Sequence, residues 1–219
     1  MFLRALSILA AGAVVLAAHP LSGPGAQCGP DEVAALRAAH GSVRRASKHR
    51  LVVAWAHGTR VFADSGYHEG YMDGVHYTYC APVLGYQLIA KADDGLFAGV
   101  LLDTLTGRTI PAGTRVEFAP DTSRYFAVQQ PDGLDGEEWL LYSRAGVRLW
   151  KGLSGIEAKS RQGDWTYFIA VLDQPHWDEH GFLSARLRCS ADTTHSVTAT
   201  LERSGGQFAW QPAPTCARD

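Results

Sequence analysis

Residues 116–152 read VEFAPDTSRYFAVQQPDGLDGEEWLLYSRAGVRLWKG. Three runs inside this stretch, RYFAVQQ (124–130), EWLLYS (138–143) and VRLWKG (147–152), are short and rich in aromatic and aliphatic residues. Between them lie PDGLDG and RAG, segments of turn formers. Successive side chains of a strand point to opposite faces, so runs of this length punctuated by Gly, Asp and Pro spell consecutive strands joined by tight turns.

The same grammar extends outward in both directions. Upstream, LVVAWA (51–56) and TRVFAD (59–64) flank His57-Gly58, which reads as a hairpin turn. GVHYTYC (74–80), GYQLIAK (85–91), LFAGVLLD (96–103) and TRVEFA (114–119) follow, separated by turn formers such as Asp93-Asp94-Gly95 and Thr106-Gly107. Downstream come WTYFIAVL (165–172), FLSARLRC (182–189) with Leu183, Ala185, Leu187 and Cys189 on one face, and HSVTATLER (195–203) with Val197, Ala199 and Leu201 alternating against polar neighbours. One short helix is legible before the strands. Pro30, Asp31 and Glu32 suit its first turn, Val33 and Leu36 form an apolar stripe with Ala39 and His40, and Gly41 fits the C′ position. Ten to twelve such strands predict an all-β chain, a sandwich, barrel or propeller.

The chain opens with one positive charge, Arg4, and an apolar run (5–18) that is too short to span a bilayer and has the layout of a secretory signal peptide. Small residues place its cleavage between Ala17 and Gly25, so residues 1–25 are set apart and 26–219 form the expected single domain. Gln27 before Cys28 disfavours a lipid anchor there, and no second segment approaches membrane length. A mature chain of about 195 residues buries one sizeable core. Export makes Cys28, Cys80, Cys189 and Cys216 a pair of disulfides with three possible connectivities, of which Cys28 with Cys80 and Cys189 with Cys216 is favoured. No C-x-x-C pair supports a metal reading of the same cysteines. The net charge of −2 argues neither for a nucleic-acid partner nor for an anionic membrane surface, and no nucleic-acid partner is expected. Arg44, Arg45, Lys48, His49 and Arg50 form the one basic block, which reads as a solvated connector ahead of the first strand.

Three polar clusters carry residue types capable of chemistry. QPHWDEHG brings His176 and His180 close in sequence, but two imidazoles at i, i+4 converge on a metal only on a helix, and Pro175 and Gly181 bracket the segment as a loop. YHEGYMDGVHY offers His68, Glu69, Asp73 and His76 as nitrogen and oxygen ligands. Its interleaved Tyr and Gly equally suit a recognition surface. PDGLDGEEW offers Asp132 and Asp135 for calcium without the spacing of a calcium loop, and Glu137 and Glu138, adjacent on a strand, point to opposite faces rather than at one substrate. No cofactor motif and no nucleophile elbow is present, so catalysis is not the expected role. Among the tryptophans, Trp139, Trp150 and Trp165 fall in strand-like runs and at least two belong in the core, with Trp55 and Trp177 left open.

The segments LLDTLTGRTI, VEFAPD, RYFAVQQPDG and WLLYSRAGVRLW, within residues 101–150, resemble a blade of a β-propeller, where such a strand end and Asp/Gly turn recur in each blade of about 40 residues. The other segments do not repeat that spacing cleanly. The expectation is therefore a small distorted β-propeller-like domain or a twisted β-sandwich. In general layout, the leader, blade-like strands and terminal disulfide resemble the small periplasmic lysozyme inhibitors, especially those against invertebrate-type lysozymes, and immunity proteins that neutralise peptidoglycan-cleaving toxins. That resemblance implies a periplasmic or secreted binder whose partner is a lysozyme-like hydrolase. It also implies a Ser-Gly segment with a nearby Tyr or Lys entering the cleft between two catalytic carboxyls, with Ser65, Gly66 and Tyr67, or Ser154, Gly155 and Lys159, as the contact residues here. A metal-assisted periplasmic hydrolase using His176 and His180 or His68 and His76 is the competing class, and a structural cell-envelope module the third.

Overall fold

The computed structural model describes residues 23–66, 74–130, 136–159, 166–192, 194–213 and 216; the leader read from the sequence lies almost wholly outside them. A short strand β1 (Gly25–Gln27) and one helix α1 (Glu32–Ala38) precede four antiparallel meanders. The first sheet holds β2 (Val43–Ser47), β3 (Arg50–Trp55) and β4 (Gly58–Ala63). The second holds β5 (Val75–Val83), β6 (Tyr86–Asp93), β7 (Leu96–Asp103) and β8 (Thr109–Ala112). β9 (Arg115–Phe118), β10 (Arg124–Gln129), β11 (Glu138–Ser143) and β12 (Arg148–Leu153) make the third, to which β1 adds alongside β9. The fourth holds β13 (Gly155–Lys159), β14 (Thr166–Trp177), β15 (Leu183–Cys189), β16 (Ser196–Ser204) and β17 (Gln207–Gln211).

Strand alternation stacks the sheets in chain order. On β10, Tyr125 and Ala127 enter the cluster shared with the second sheet, while Phe126 and Val128 enter the one shared with the fourth. β11 does the same with Leu140 and Tyr142 against Trp139 and Leu141. On β6, Leu88 turns to the third sheet and Ile89 to the first. A strand buried on both faces has to be apolar at every position, which is why RYFAV and WLLY read as continuous runs rather than alternations. Each large side chain buried here contributes about 1.5–3 kcal/mol. The rings interlock: Phe126 meets Trp139 edge-on at 5.4 Å, and Tyr125 stacks on Tyr142 at 5.1 Å. Burial raises the pKa of the Tyr125 hydroxyl, which donates to the Pro111 carbonyl at 2.6 Å.

The all-β class is as expected, and the arrangement is a serial stack of blade-like meanders. The last three sheets begin at Val75, Arg115 and Gly155, steps of 40 residues, so the blade spacing does recur. It was hidden because β8 and β13, a strand containing Pro111 and one beginning at Gly155, carry weak strand signals. Residues 101–150 straddle two sheets, with Leu101 and Ile110 on the second.

Local differences have local causes. Asp31 caps α1 by accepting from the Ala34 amide at 3.0 Å, but the helix ends one residue early: Ala39 is its C-cap, and His40 and Gly41 both take positive φ. Val33 is exposed; Ala35 and Leu36 supply the packed face. The hairpin turn is Ala56-His57, with Gly58 already paired to Trp55. The basic block is no connector: Arg44 and Arg45 lie in β2, which pairs with β3. β14 extends through Pro175 to Trp177, using a bulge between Asp173 and His176 with Gln174 at φ 52, so His176 sits in a strand. Trp139 and Trp177 are fully buried, Trp150 and Trp210 half-buried; Trp165 lies outside the described residues. Cys28 bonds Cys80 and Cys189 bonds Cys216, the favoured connectivity. Among the described residues, no helix is long and apolar enough to cross a membrane.

Candidate functional site

β4 ends at Ala63, and the next residue, Asp64, turns its carboxylate inward until only 1 % of the side chain is exposed. Oδ1 accepts the Tyr77 amide at 2.9 Å; Oδ2 faces His76 Nδ1 at 2.8 Å and His49 Nδ1 at 3.3 Å. A carboxylate can only accept, so each ring nitrogen presents its N–H there. Burial by itself would raise the Asp64 pKa, but the Tyr77 amide, then His76 and His49, outweigh it and hold the carboxyl below its ordinary value. Backbone completes the junction, with the Asp64 amide donating to the His49 carbonyl at 3.0 Å. One carboxylate thus joins the β2–β3 turn, the end of β4 and the start of β5.

Ser65 and Gly66 follow immediately. Ser65 and Val75 exchange two backbone hydrogen bonds of 3.0 and 2.7 Å, and a Cβ on Gly66 would lie 3.5 Å from the Gly74 Cα. Gly66 and Gly74 both hold positive φ, as so close an approach at a reversal requires. The Gly74 amide is fixed to Asp94 Oδ1 in the β6–β7 turn at 2.7 Å. Ser65 and Gly66 therefore form an exposed, hydrogen-bonded neck; Tyr67 and His68, with Glu69 and Asp73, lie outside the described residues. Arg44, Lys48, His49 and Arg50 are exposed on the β2–β3 hairpin, whose turn meets Asp64 through His49. Arg45 is turned the other way, forked onto Glu32 at 2.8 and 3.0 Å and bonded to the Tyr77 carbonyl. Glu32 also accepts the Tyr79 amide at 2.8 Å, so α1 braces the hairpin against β5.

The second Ser-Gly pair is placed differently. Ser154 is half-buried where the third sheet passes into the fourth, its amide bonded to the Glu137 carbonyl at 2.9 Å and its carbonyl to the Leu172 amide at 2.7 Å. Gly155 is covered by the Phe168 ring, 2.4 Å from where a Cβ would stand. Lys159 is paired through its backbone with Thr166 at the end of β13. The two Ser-Gly pairs belong to different ends of the stack and are not brought together.

The polar clusters separate as well. His176 Nδ1 lies 3.0 Å from the Gln174 carbonyl in β14, whereas His180 is exposed in the following turn, 3.6 Å from Glu179. His76 is engaged with Asp64, and His68, Asp132 and Asp135 lie outside the described residues. Among the described residues, no three His, Cys, Asp or Glu side chains are grouped to hold a metal, calcium included. Glu137 accepts the Trp139 indole N–H at 3.1 Å, while Glu138 is buried against Gln129 and Lys151. On the fourth sheet, Asp173 is held by Arg186 at 2.6 Å and Arg188 at 2.6 Å, and those hydrogen bonds lower its pKa against the smaller effect of burial. The role of Asp64 was missed in the sequence: it closes TRVFAD as an ordinary polar strand end, and its partners lie 12, 13 and 15 residues away.

Comparison with protein-family models, with curated proteins and with solved structures finds no match to this chain.

Proposed function

We propose that this chain is an exported binding protein, periplasmic or secreted, that inhibits or neutralises a peptidoglycan-cleaving enzyme, as lysozyme inhibitors and immunity proteins do. Its contact surface is the Ser65-Gly66 neck with the basic hairpin tied to it. The observation that carries this reading is the Asp64 hub, which ties an exposed hydroxyl and glycine to the β2–β3 turn at His49, on a hairpin that also exposes Arg44, Lys48 and Arg50. A cleft that works through two carboxyls is an acceptor-rich, negatively charged groove, and a rigid hydroxyl accompanied by cations complements it while excluding the sugar. Preorganisation matters because a neck already ordered loses little entropy on docking. The two disulfides suit an oxidising compartment, where such an enzyme would be met.

The test is a turbidity assay of cell-wall lysis with the mature protein and a panel of lysozymes that includes the invertebrate type. Activity is expected to fall at equimolar ratio for at least one of them. Ser65→Ala should weaken that inhibition, and the double change Arg44→Glu with Arg50→Glu should slow association about tenfold at low salt, with less effect at high salt. Unchanged lysis across the panel at tenfold excess of the protein sinks the reading.

A further inference from the structure

The pairing of β1 with β9 leaves an open cavity of about 300 Å³ on one face of the two strands. The register decides which groups line it. Gly25 stands opposite Glu117 and Gln27 opposite Arg115, whereas Ala26 and Val116, also opposite each other, turn into the core between the second and third sheets. Gly23 and Gly25 have no side chains to fill the space; a Cβ on Gly25 would stand 3.5 Å from the Glu117 Cγ. The cavity wall is thus a carboxylate, a guanidinium and a carboxamide over a glycine floor.

The hydrogen bonding there is incomplete. Glu117 has a side chain only 10 % exposed, and its Oε1 is buried with no hydrogen-bond partner. Oε2 receives Arg115 Nη2 at 3.3 Å, and that same nitrogen is shared with the Pro175 carbonyl at 3.2 Å. Both are long for bonds from a charged donor, which are typically about 2.7–2.9 Å. A buried carboxylate oxygen lacking a donor is costly, and among the described residues nothing more is offered to it. Glu117 itself lines the cavity, so its carboxylate is the acceptor a donor entering there would meet.

We propose that this cavity binds a primary ammonium group, held on the Glu117 carboxylate with the Gln27 amide oxygen as a second acceptor. The unmet need is for a donor, which favours a cation over an anion; no aromatic ring lines the cavity to stack a sugar, and its two aliphatic lining residues, Ala26 and Val116, bury their side chains in the core. Two sources carry such a group. One is a small amine or the amino terminus of a peptide in solution. The other is this chain's own α-amino group, if the leader is cut shortly before Gly23; a cut as late as Gly25, the far limit read from the sequence, would remove the glycine floor and overturn the site. The site is separate from the Ser65-Gly66 neck, and its failure would leave the inhibitor reading untouched.

The test begins with intact mass, which gives the first residue of the exported protein, and continues with NMR titration of the Gly25 and Glu117 amides by glycinamide, with glycerol as the hydroxyl counter-probe. Saturable glycinamide binding, at least about tenfold weaker in Glu117→Gln, supports the site with an external amine. If glycinamide does not bind because the chain's own terminus is there, the α-amino group should react with formaldehyde and cyanoborohydride about tenfold more slowly in the folded protein than in urea, and faster again in folded Glu117→Gln. Absence of both effects overturns the proposal. So does glycerol shifting the same amides as strongly as glycinamide, a comparison made on the unaltered protein and therefore independent of whether the variant folds.

Discussion

Oδ2 of Asp64 serves two imidazoles while Oδ1 serves a backbone amide, so one small side chain holds three segments that are distant in sequence. The chemistry explains why a shorter or neutral residue would not replace it. Asparagine keeps an oxygen for the Tyr77 amide but turns donors toward His76 and His49, and alanine leaves a buried amide unpartnered at a cost of about 1–3 kcal/mol. The sign of the pH dependence follows from the lowered pKa. Because the folded carboxyl sits below 3.8, the unfolded chain takes up its proton first as pH falls, so the contribution of Asp64 is fully present above that value and is lost through the folded pKa beneath it. The difference in Tm between the native protein and Asp64→Asn should be steady from about pH 6 to 5 and then shrink between about pH 4 and 2. Thermal melts at half-unit intervals check this, and a difference that stays constant down to pH 2 would refute the hub. The sequence could not reveal it, since Asp64, His49 and His76 share no spacing that a strand or helix would impose.

At the scale of elements, strands that must be apolar on both faces declared themselves, and those on the edges did not. LFAGVLLD and EWLLYS coincide with β7 and β11 residue for residue because sequence, burial and pairing agree there. β2 was obscured by its arginines, whose long polar side chains are normal on an edge strand. β8 was obscured by a proline, which an edge also tolerates, and β17 by polar ends. Turns between sheets were less legible than turns within them, because what they require is close approach rather than a hairpin geometry. Gly113 is the clearest instance. It carries the chain from β8 on the second sheet to β9 on the third, and a Cβ there would stand 1.7 Å from the Val128 carbonyl oxygen. The Thr114 amide bonds that same oxygen at 2.8 Å, so relaxation of the clash pulls apart the β9–β10 pairing where the chain enters the third sheet. Gly113→Ala should therefore cost at least about 1–3 kcal/mol, whereas Gly29→Ala, with nothing within 4 Å, should stay within about 0.5 kcal/mol. Urea denaturation of the two variants side by side is the check; equal midpoints would mean that the sheets do not meet there as described.

Across the whole molecule, a stack whose cores lie between consecutive sheets gains cooperativity from whatever ties its sheets together. Cys28–Cys80 does this: it fastens the end of β1, a member of the third sheet, to β5 of the second across a sequence separation of 52, and the loop it closes includes α1 and the entire first sheet. Cys189–Cys216 spans 27 residues and fastens the chain's last described residue to β15 of the fourth sheet. Loop-closure entropy alone assigns about 4 kcal/mol to the first and about 3.5 kcal/mol to the second, a small difference. Position should widen it. Loss of the first bond frees β1, which contributes Ala26 to the central core, and loosens the attachment of α1 and β2, which reach β5 through Glu32 and Arg45. Loss of the second frees only the segment after β17. The paired change Cys28→Ala with Cys80→Ala should lower the urea midpoint more than Cys189→Ala with Cys216→Ala, and it should raise hydrogen exchange in β2, β3 and β5. The other pair should raise exchange chiefly in β15 to β17. If instead both pairs gave the same midpoint and the same exchange pattern, the chain would unfold as one indivisible unit, and the serial arrangement of its cores would have no energetic consequence.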